Sequence, residues 1–305
     1  MLINLRNALM TSGKKPAYWG LCFTAEEAGS TIALIKVSSA PAVTLQTSTD
    51  GKSWTPYTIG DVITLGAIGD SIFFAAGEDG NTRLGSSIIR YHQFSMTGKI
   101  AAAGNIMSLL SADEPQPQIT GTYTFYRLFS GCTSLTTAPE LPATTLAASC
   151  YQQMFSGCTS LTTAPELPAT TLAAWCYNSM FSGCTSLTAA PELTDGIAYA
   201  YHAACESMFE NCTSLTAARV LVGNRAATTS SSAFRRMFMG CENLKSLEVP
   251  NFTLFGGTSG EPITRDWLLN VASQGVFKCP ERLGTDETIQ RGASYCPDGW
   301  TVVNI

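Results

Sequence analysis

The chain has 305 residues, 45% of them hydrophobic and only 13% charged, with a formal net charge of −5. So apolar a composition argues against intrinsic disorder, and no run of about 18 uncharged apolar residues is present to make a membrane span. Binding to a nucleic-acid backbone needs a basic stripe, and the nearest approaches to one are Lys14-Lys15 and Arg235-Arg236, so nucleic acid is not an expected partner.

The first residues, MLINLRNALMTSGKKPAYWG, begin with an apolar run that Asn4, Arg6 and Asn7 interrupt. A secretory leader needs an unbroken apolar core and a small-residue cleavage site, so no signal peptide is expected and residues 1–17 read as an attachment segment. Residues 18–110 come next as short apolar alternations: WGLCFT, STIALIKV, VTLQTS, DVITL, DSIFFAA and SIIRYHQFSM. Between them stand the turn pairs Asp50-Gly51, Gly60-Asp61 and Gly69-Asp70. Strands separated by turns at this spacing predict a β-sandwich. Within it, STDGKSW (Ser48–Trp54) is one residue short of the turn motif that recurs in sialidase propellers and occurs once, so a hairpin tip at Asp50-Gly51 explains it better. Residues 111–124, with the polar stretch SADEPQPQ, read as a linker leading into a repeat array.

Residues 125–250 repeat one phrase five times. Its frame is a phenylalanine, a cysteine three residues on and a leucine three further: Phe129/Cys132/Leu135, Phe155/Cys158/Leu161, Phe181/Cys184/Leu187, Phe209/Cys212/Leu215 and Phe238/Cys241/Leu244. A near-constant period of this length signals coils that bury their apolar faces only against one another. Within a coil, Thr144 or Thr145 suits a helix N-cap, and Leu146, Cys150 and Met154 recur every four residues, with Gly157 placed to end the helix. From Leu161 the text turns extended, and the prolines of LTTAPELP predict a short, kinked strand. The fifth coil, LKSLEVP, is plainer and sets Leu244, Leu247 and Val249 inward. After Pro250, a helix around Trp267-Leu268-Leu269 and the strand-like ending SYCPDGWTVVNI predict a C-terminal cap over 251–305. The predicted class is therefore α+β: an N-terminal β-sandwich, a five-coil leucine-rich-repeat-like solenoid and a cap.

The pattern Phe-x-x-Cys-x-x-Leu, followed by a short strand ending in proline, resembles the BspA-like leucine-rich repeats. These occur in surface and phage-encoded proteins of gut anaerobes of the Bacteroides group. The resemblance covers residues 125–250 and implies a right-handed solenoid with a strand ladder on one side. GNIMSLL at 104–110 and PDGWTV near the end also look like segments that accompany such repeats, and NLRNALMTSGKK looks like the start of phage tail proteins from that group.

Eleven cysteines are present, and no Cys-x-x-Cys pair offers zinc its usual spacing. Cys132, Cys158, Cys184, Cys212 and Cys241 fall in one phase of the repeat, and Cys150, Cys176 and Cys205 in another. Stacking puts each beside its counterpart, so both sets read as columns of small buried thiols rather than ligands or disulfides. Cys279 and Cys296, each followed by proline in the cap, either pair or stay free.

Only His92 and His202 offer imidazoles. His92 lies in an alternating strand, and His202 precedes Cys205 by three residues, but Cys205 belongs to a buried column and makes a poor nucleophile. No nucleophile elbow, zinc-helix motif or phosphate loop occurs, so no catalytic, cofactor-binding or metal-binding residue is nominated and no cofactor is expected. Asn211-Cys-Thr and Asn251-Phe-Thr match glycosylation sequons, which prove little on their own.

The expected binding face is the strand side of the repeats. From Ser130 to Leu193 there is no Lys or Arg, and the acids are Glu140, Glu166 and Glu192, one per coil, with Thr136, Thr162 and Thr188 alongside. Hydroxyls in rows with occasional carboxylates suit saccharides, or a calcium ion bridging the acids. The expected function is non-enzymatic recognition: a phage tail fibre or virion-associated receptor-binding protein that contacts host surface glycan or protein. Its N-terminal region would join other virion proteins, in a homo-oligomer that is trimeric if it is a fibre. The alternative is a BspA-type adhesin on a bacterial cell surface.

Overall fold

The computed structural model describes residues 20–111, 117–193, 202–221, 232–252, 262–285 and 287–305; the expected attachment segment 1–17 lies outside them. Nine strands form the first part: β1 (Leu21–Ala25), β2 (Ser30–Val37), β3 (Leu45–Ser48), β4 (Thr55–Tyr57), β5 (Ile63–Leu65), β6 (Ser71–Ala76), β7 (Gly85–Ser87), β8 (Arg90–Thr97) and β9 (Ile100–Ala103). β5, β2, β8 and β7 make one sheet in that order, while β9, β1, β6, β3 and β4 belong to another. The two sheets meet through aromatic rings. Phe94 of β8 sits 4.9 Å from Phe23 of β1 and 5.4 Å from Phe74 of β6, all three 0–1% exposed.

The β3–β4 connection holds the Asp50-Gly51 pair. Asp50 Oδ1 accepts the amides of Lys52 (2.8 Å) and Ser53 (2.7 Å), and Gly51 takes a φ of 69° that any side chain would resist. These amide contacts, with Ser48, hold the Asp50 carboxyl below the usual carboxylate range.

The first sheet does not stop at β9. Its sixth strand is β10 (Leu135–Thr137), which comes from the first repeat and pairs in parallel with β9. Backbone bonds from Phe94 to Leu128 (2.7 Å) and from Ile100 to Ser134 (2.9 Å) tie the same coil on. Residues 117–124 are thus spanned by a shared sheet and a shared core.

The expected α+β class, and with it a helix-bearing leucine-rich-repeat solenoid, is overturned. Among the described residues there is no α-helix, only two short 3₁₀ helices, Ile106–Leu109 and Glu281–Leu283, and the chain is built on three sheets. Where a helix was expected over 146–157, consecutive turns run instead. Cys150, Gln152 and Met154 donate three residues back, to Ala147, Ser149 and Tyr151. The intervening amides of Tyr151, Gln153 and Phe155 donate to Cys176, Asn178 and Met180 of the next coil. Every fourth residue is left-handed: Ser149 (φ 57°), Gln153 (φ 56°) and Gly157 (φ 76°).

This turn ladder shares the four-residue apolar spacing of a helix face, which is why Leu146, Cys150 and Met154 pointed to one. A helix would keep all its amide bonds within the coil; here half of them join coil to coil. Left-handed backbone costs about 1–2 kcal/mol at each non-glycine residue, and the inter-coil bonds and the buried side chains must offset it. One left-handed column runs Gly131, Gly157, Gly183, Asn211, Gly240, and asparagine is the residue other than glycine that tolerates this region best.

The repeat leucines correct a second expectation, that the chain turns into a strand at each of them. Leu135 does open β10, but Leu161, Leu187, Leu215 and Leu244 stand outside any strand. Their amides are spent on turns, donating to Cys158, Cys184, Cys212 and Cys241 at 2.9–3.1 Å. Contact with the neighbouring coil starts one residue later, where Thr188 donates to Thr162 O (3.5 Å) and Thr216 to Thr188 O (3.4 Å). Leu187 and Leu215 are nevertheless 0% exposed. They are core residues at the end of a turn rather than strand residues of a leucine-rich repeat.

Beyond those leucines, strand segments stack in parallel, as at Thr137 with Thr163, Leu167 with Leu193 and Ala189 with Ala217. In the second and third coils they remain isolated bridges, because Pro165, Pro168 and Pro191 have no amide to donate. Once the prolines are gone, full strands appear: β11 (Ala217–Arg219), β12 (Ser246–Glu248), β13 (Gly275–Cys279) and β14 (Trp300–Asn304), in one parallel sheet in chain order. The cap expected over 251–305 thus supplies two more strands of the stack. Trp267 and Leu268 lie in turns between left-handed Asp266 and Asn270, and not in a helix.

The repeat frame forms the interior. All fifteen of its Phe, Cys and Leu side chains are 0–3% exposed. The phenylalanine rings stack at 5.3–5.5 Å and 2–6° from Phe129 to Phe238, and Phe94 of the sandwich begins the column 5.2 Å from Phe129.

Candidate recognition surface

The parallel register sets one side chain per coil into a line on the strand face. Glu140, Glu166 and Glu192 occupy it in the first three coils, all exposed. Arg219, Glu248 and Lys278 follow, since the strand pairing places Arg219 beside Glu248 and Glu248 beside Lys278. Arg219 Nε lies 2.7 Å from Glu248 Oε1, its second arm lies 3.3 Å from Glu192 Oε1, and Lys278 Nζ is 3.8 Å from Glu248 Oε2. Those carboxylates raise the proton affinity of the guanidinium, Glu248 most. The line therefore has an acidic half at Glu140 and Glu166 and a charge-alternating half from Glu192 onward.

Sequence reasoning found the acids and missed Arg219, Glu248 and Lys278. The signal was a charged third residue in AAR and SLE, and again in VFK. It was hidden because APELP sets its glutamate five residues after the repeat leucine, as Glu192 after Leu187, whereas Arg219 stands four after Leu215 and Glu248 four after Leu244.

Two hollows open on this line. One, of about 530 Å³, is lined by Ala164, Pro165, Glu166, Leu167, Pro168, Pro191, Glu192 and Leu221. The other, of about 250 Å³, is lined by Ala190, Glu192, Ala217, Ala218, Arg219, Ser246 and Glu248. The threonines divide. Thr136 is half-buried and donates its hydroxyl to Ile100 O (3.2 Å), while Thr162 and Thr188 are exposed. Thr162 also reaches the Thr136 carbonyl, at 3.5 Å. The threonine row thus knits neighbouring strands together as well as facing solvent.

The thiols lie elsewhere. All eleven cysteines are buried and joined in no disulfide, Cys279 and Cys296 included, and no group of three His, Cys, Asp or Glu is placed to hold a metal among the described residues. Burial pushes the thiols of Cys132, Cys176, Cys184 and Cys241 up to about 12. Cys205 is fully buried and raised well above its ordinary value, whereas His202 is exposed and packs against the Trp175 ring. His92 is 1% exposed, its Nδ1 is 2.8 Å from Leu84 O, and burial lowers its proton affinity. Asn211 of the first sequon is exposed in a left-handed turn, while Asn251 donates to Leu221 O and Thr253 lies outside the described residues.

No protein-family model matches the chain, and neither a curated protein nor a solved structure does. Among the described residues no helix is long and apolar enough to cross a membrane.

Proposed function

We propose that this is a non-enzymatic recognition protein, carried on a phage virion as a tail-fibre or receptor-binding component, whose strand face contacts glycan or protein on the host surface. The observation that carries the reading is the line from Glu140 to Lys278 with its proline-walled hollow at Glu166 and Glu192. Backbone positions repeated at coil spacing on a hydrogen-bonded stack are held in fixed register, which lowers the backbone ordering cost of binding. A ligand of repeating chemistry, such as a polysaccharide, would meet several equivalent positions at once.

Fluorescently labelled full-length chain titrated onto host cells tests this, beside a Glu140→Gln/Glu166→Gln/Glu192→Gln variant that keeps the shape and removes the charge. Loss of binding by about tenfold is expected, and unchanged binding would rule the strand face out. Immunogold labelling of purified virions tests the particle assignment; label confined to bacterial cell surfaces would point to an adhesin instead.

A further inference from the structure

Two successive coils are near duplicates. Residues 143–158 read ATTLAASCYQQMFSGC and residues 169–184 read ATTLAAWCYNSMFSGC. They differ at three positions only: Ser149 against Trp175, Gln152 against Asn178 and Gln153 against Ser179. All three fall in one stretch of five residues on the turn side. The backbones agree, with φ 57° at both Ser149 and Trp175, and both amides donate to the next coil at 3.0 and 3.1 Å. Ala203 holds the corresponding place one coil on, at φ 50°. The stack therefore accepts serine or alanine here, and the indole is not what folds it.

Trp175 is nevertheless 40% exposed, the only aromatic among the exposed large hydrophobic residues described. His202 packs edge-to-face against it, 5.0 Å between centroids at 87°. The turn from Trp175 closes on the Asn178 amide (3.2 Å), and Asn178 Oδ1 accepts from Gln152 Nε2 (3.2 Å) and Ser179 Oγ (3.3 Å). Those bonds fix the carboxamide plane and use its oxygen, while its Nδ2 donor is uncommitted.

We propose that Trp175, braced by His202, is a stacking platform for one pyranose ring of a neutral saccharide, with the Asn178 amide as its hydroxyl partner. A pyranose presents an apolar C–H face and a rim of hydroxyls, which an open indole beside a fixed carboxamide complements. A polyanion is disfavoured by the net charge of −5. This inference rests on the recognition reading above but sets a second contact on the turn side, away from the glutamate line.

Cellohexaose, chitohexaose and maltohexaose, each titrated into the full chain by calorimetry and tryptophan fluorescence, test it. At least one should bind and shift the emission. Trp175→Ala should weaken that binding about tenfold without moving the urea midpoint, and Trp175→Phe should stay within a factor of about three. Wild-type affinity in Trp175→Ala would overturn the platform; if the triple glutamate variant loses binding in the same assay, the strand-face reading stands without it. No binding of any of the three at about 10 mM would also overturn the platform, while cell binding through the glutamates would still be judged separately.

Discussion

Cys158 Sγ donates to the Phe129 carbonyl oxygen at 3.0 Å, one coil back. The relation recurs at 3.0–3.1 Å from Cys132 to Phe94, Cys184 to Phe155, Cys212 to Phe181 and Cys241 to Phe209. The repeated cysteine is therefore a filler of small volume and also a donor to a buried carbonyl at the turn leaving the phenylalanine. Cys158→Ala should cost about 1–2 kcal/mol in urea unfolding, from lost volume and the lost thiol bond, while the Phe129 carbonyl keeps the Cys132 amide at 3.0 Å. A thiol reagent at pH 8 should leave all eleven sulfurs nearly untouched in the native chain and label them in guanidinium. Fast native labelling of several would show that the columns are not interior.

Ser207 tests the turn ladder against a helix, because the two make opposite forecasts for glycine. Ser207 sits at φ 54°, so Ser207→Gly removes a Cβ from the left-handed region and should leave stability unchanged or raise it by about 1 kcal/mol. In a helix interior the same change would lower it by about 0.5 kcal/mol. Urea midpoints decide the sign, and far-UV circular dichroism should lack the helical minima.

How much of this was legible can be judged from single positions. Phe155, Cys158 and Leu161 could be placed indoors from their repetition alone, because only stacking buries one residue of each kind per coil. The same holds for Leu187 and Leu215, whose burial was readable while their place in a turn was not. The backbone between the frame residues was also hidden. Leu146, Cys150 and Met154 satisfy a helix and a run of turns equally, and nothing local marks Ser149 or Gln153 as left-handed; the hydrogen bonds that decide it go to the neighbouring coil. Asp50-Gly51 was readable because a glycine carries its own conformational signal. The acidic members of the surface line were readable and Arg219 was not, since its alignment with Glu192 depends on a register that the prolines shift.

Tyr151 is 1% exposed, stacked 5.9 Å from Phe125 and 6.2 Å from Tyr177, and its hydroxyl has no hydrogen-bond partner. Burying a hydroxyl unpaired costs about 1–3 kcal/mol, and the preceding coil already uses a phenylalanine at this place. Tyr151→Phe should therefore stabilise the chain by about 1 kcal/mol. A loss of stability would mean that the hydroxyl has a partner.

His92 gives stability a pH dependence of known sign. Burial lowers its folded proton affinity, Lys36 adds to the effect, and the Leu84 carbonyl opposes it. The unfolded chain then binds a proton near pH 6.5 that the folded chain refuses. The contribution of neutral His92 is fully present above pH 6.5 and is lost as pH falls from there toward the lower folded value. The slope in that window approaches about 1.4 kcal/mol per pH unit. His92→Gln, measured by urea unfolding between pH 8 and pH 5, should be flatter; parallel curves would place the imidazole in solvent.

Removing the sandwich should unfold the repeats rather than release them. Phe94 is the first ring of the phenylalanine column, and its carbonyl accepts from Cys132, while β9 supplies the parallel neighbour of β10. A chain starting at residue 119 would expose Phe129, Cys132 and Leu135, all 0–3% exposed in the intact protein. Uncovering three such side chains costs about 5 kcal/mol or more at about 1.5–3 kcal/mol each, comparable with the whole stability of an ordinary domain. Expression of 119–305 should give aggregated or dye-binding material, whereas the intact chain should melt in a single cooperative transition. A fragment that is soluble and melts sharply would mean that the stack can close its first face without the sandwich.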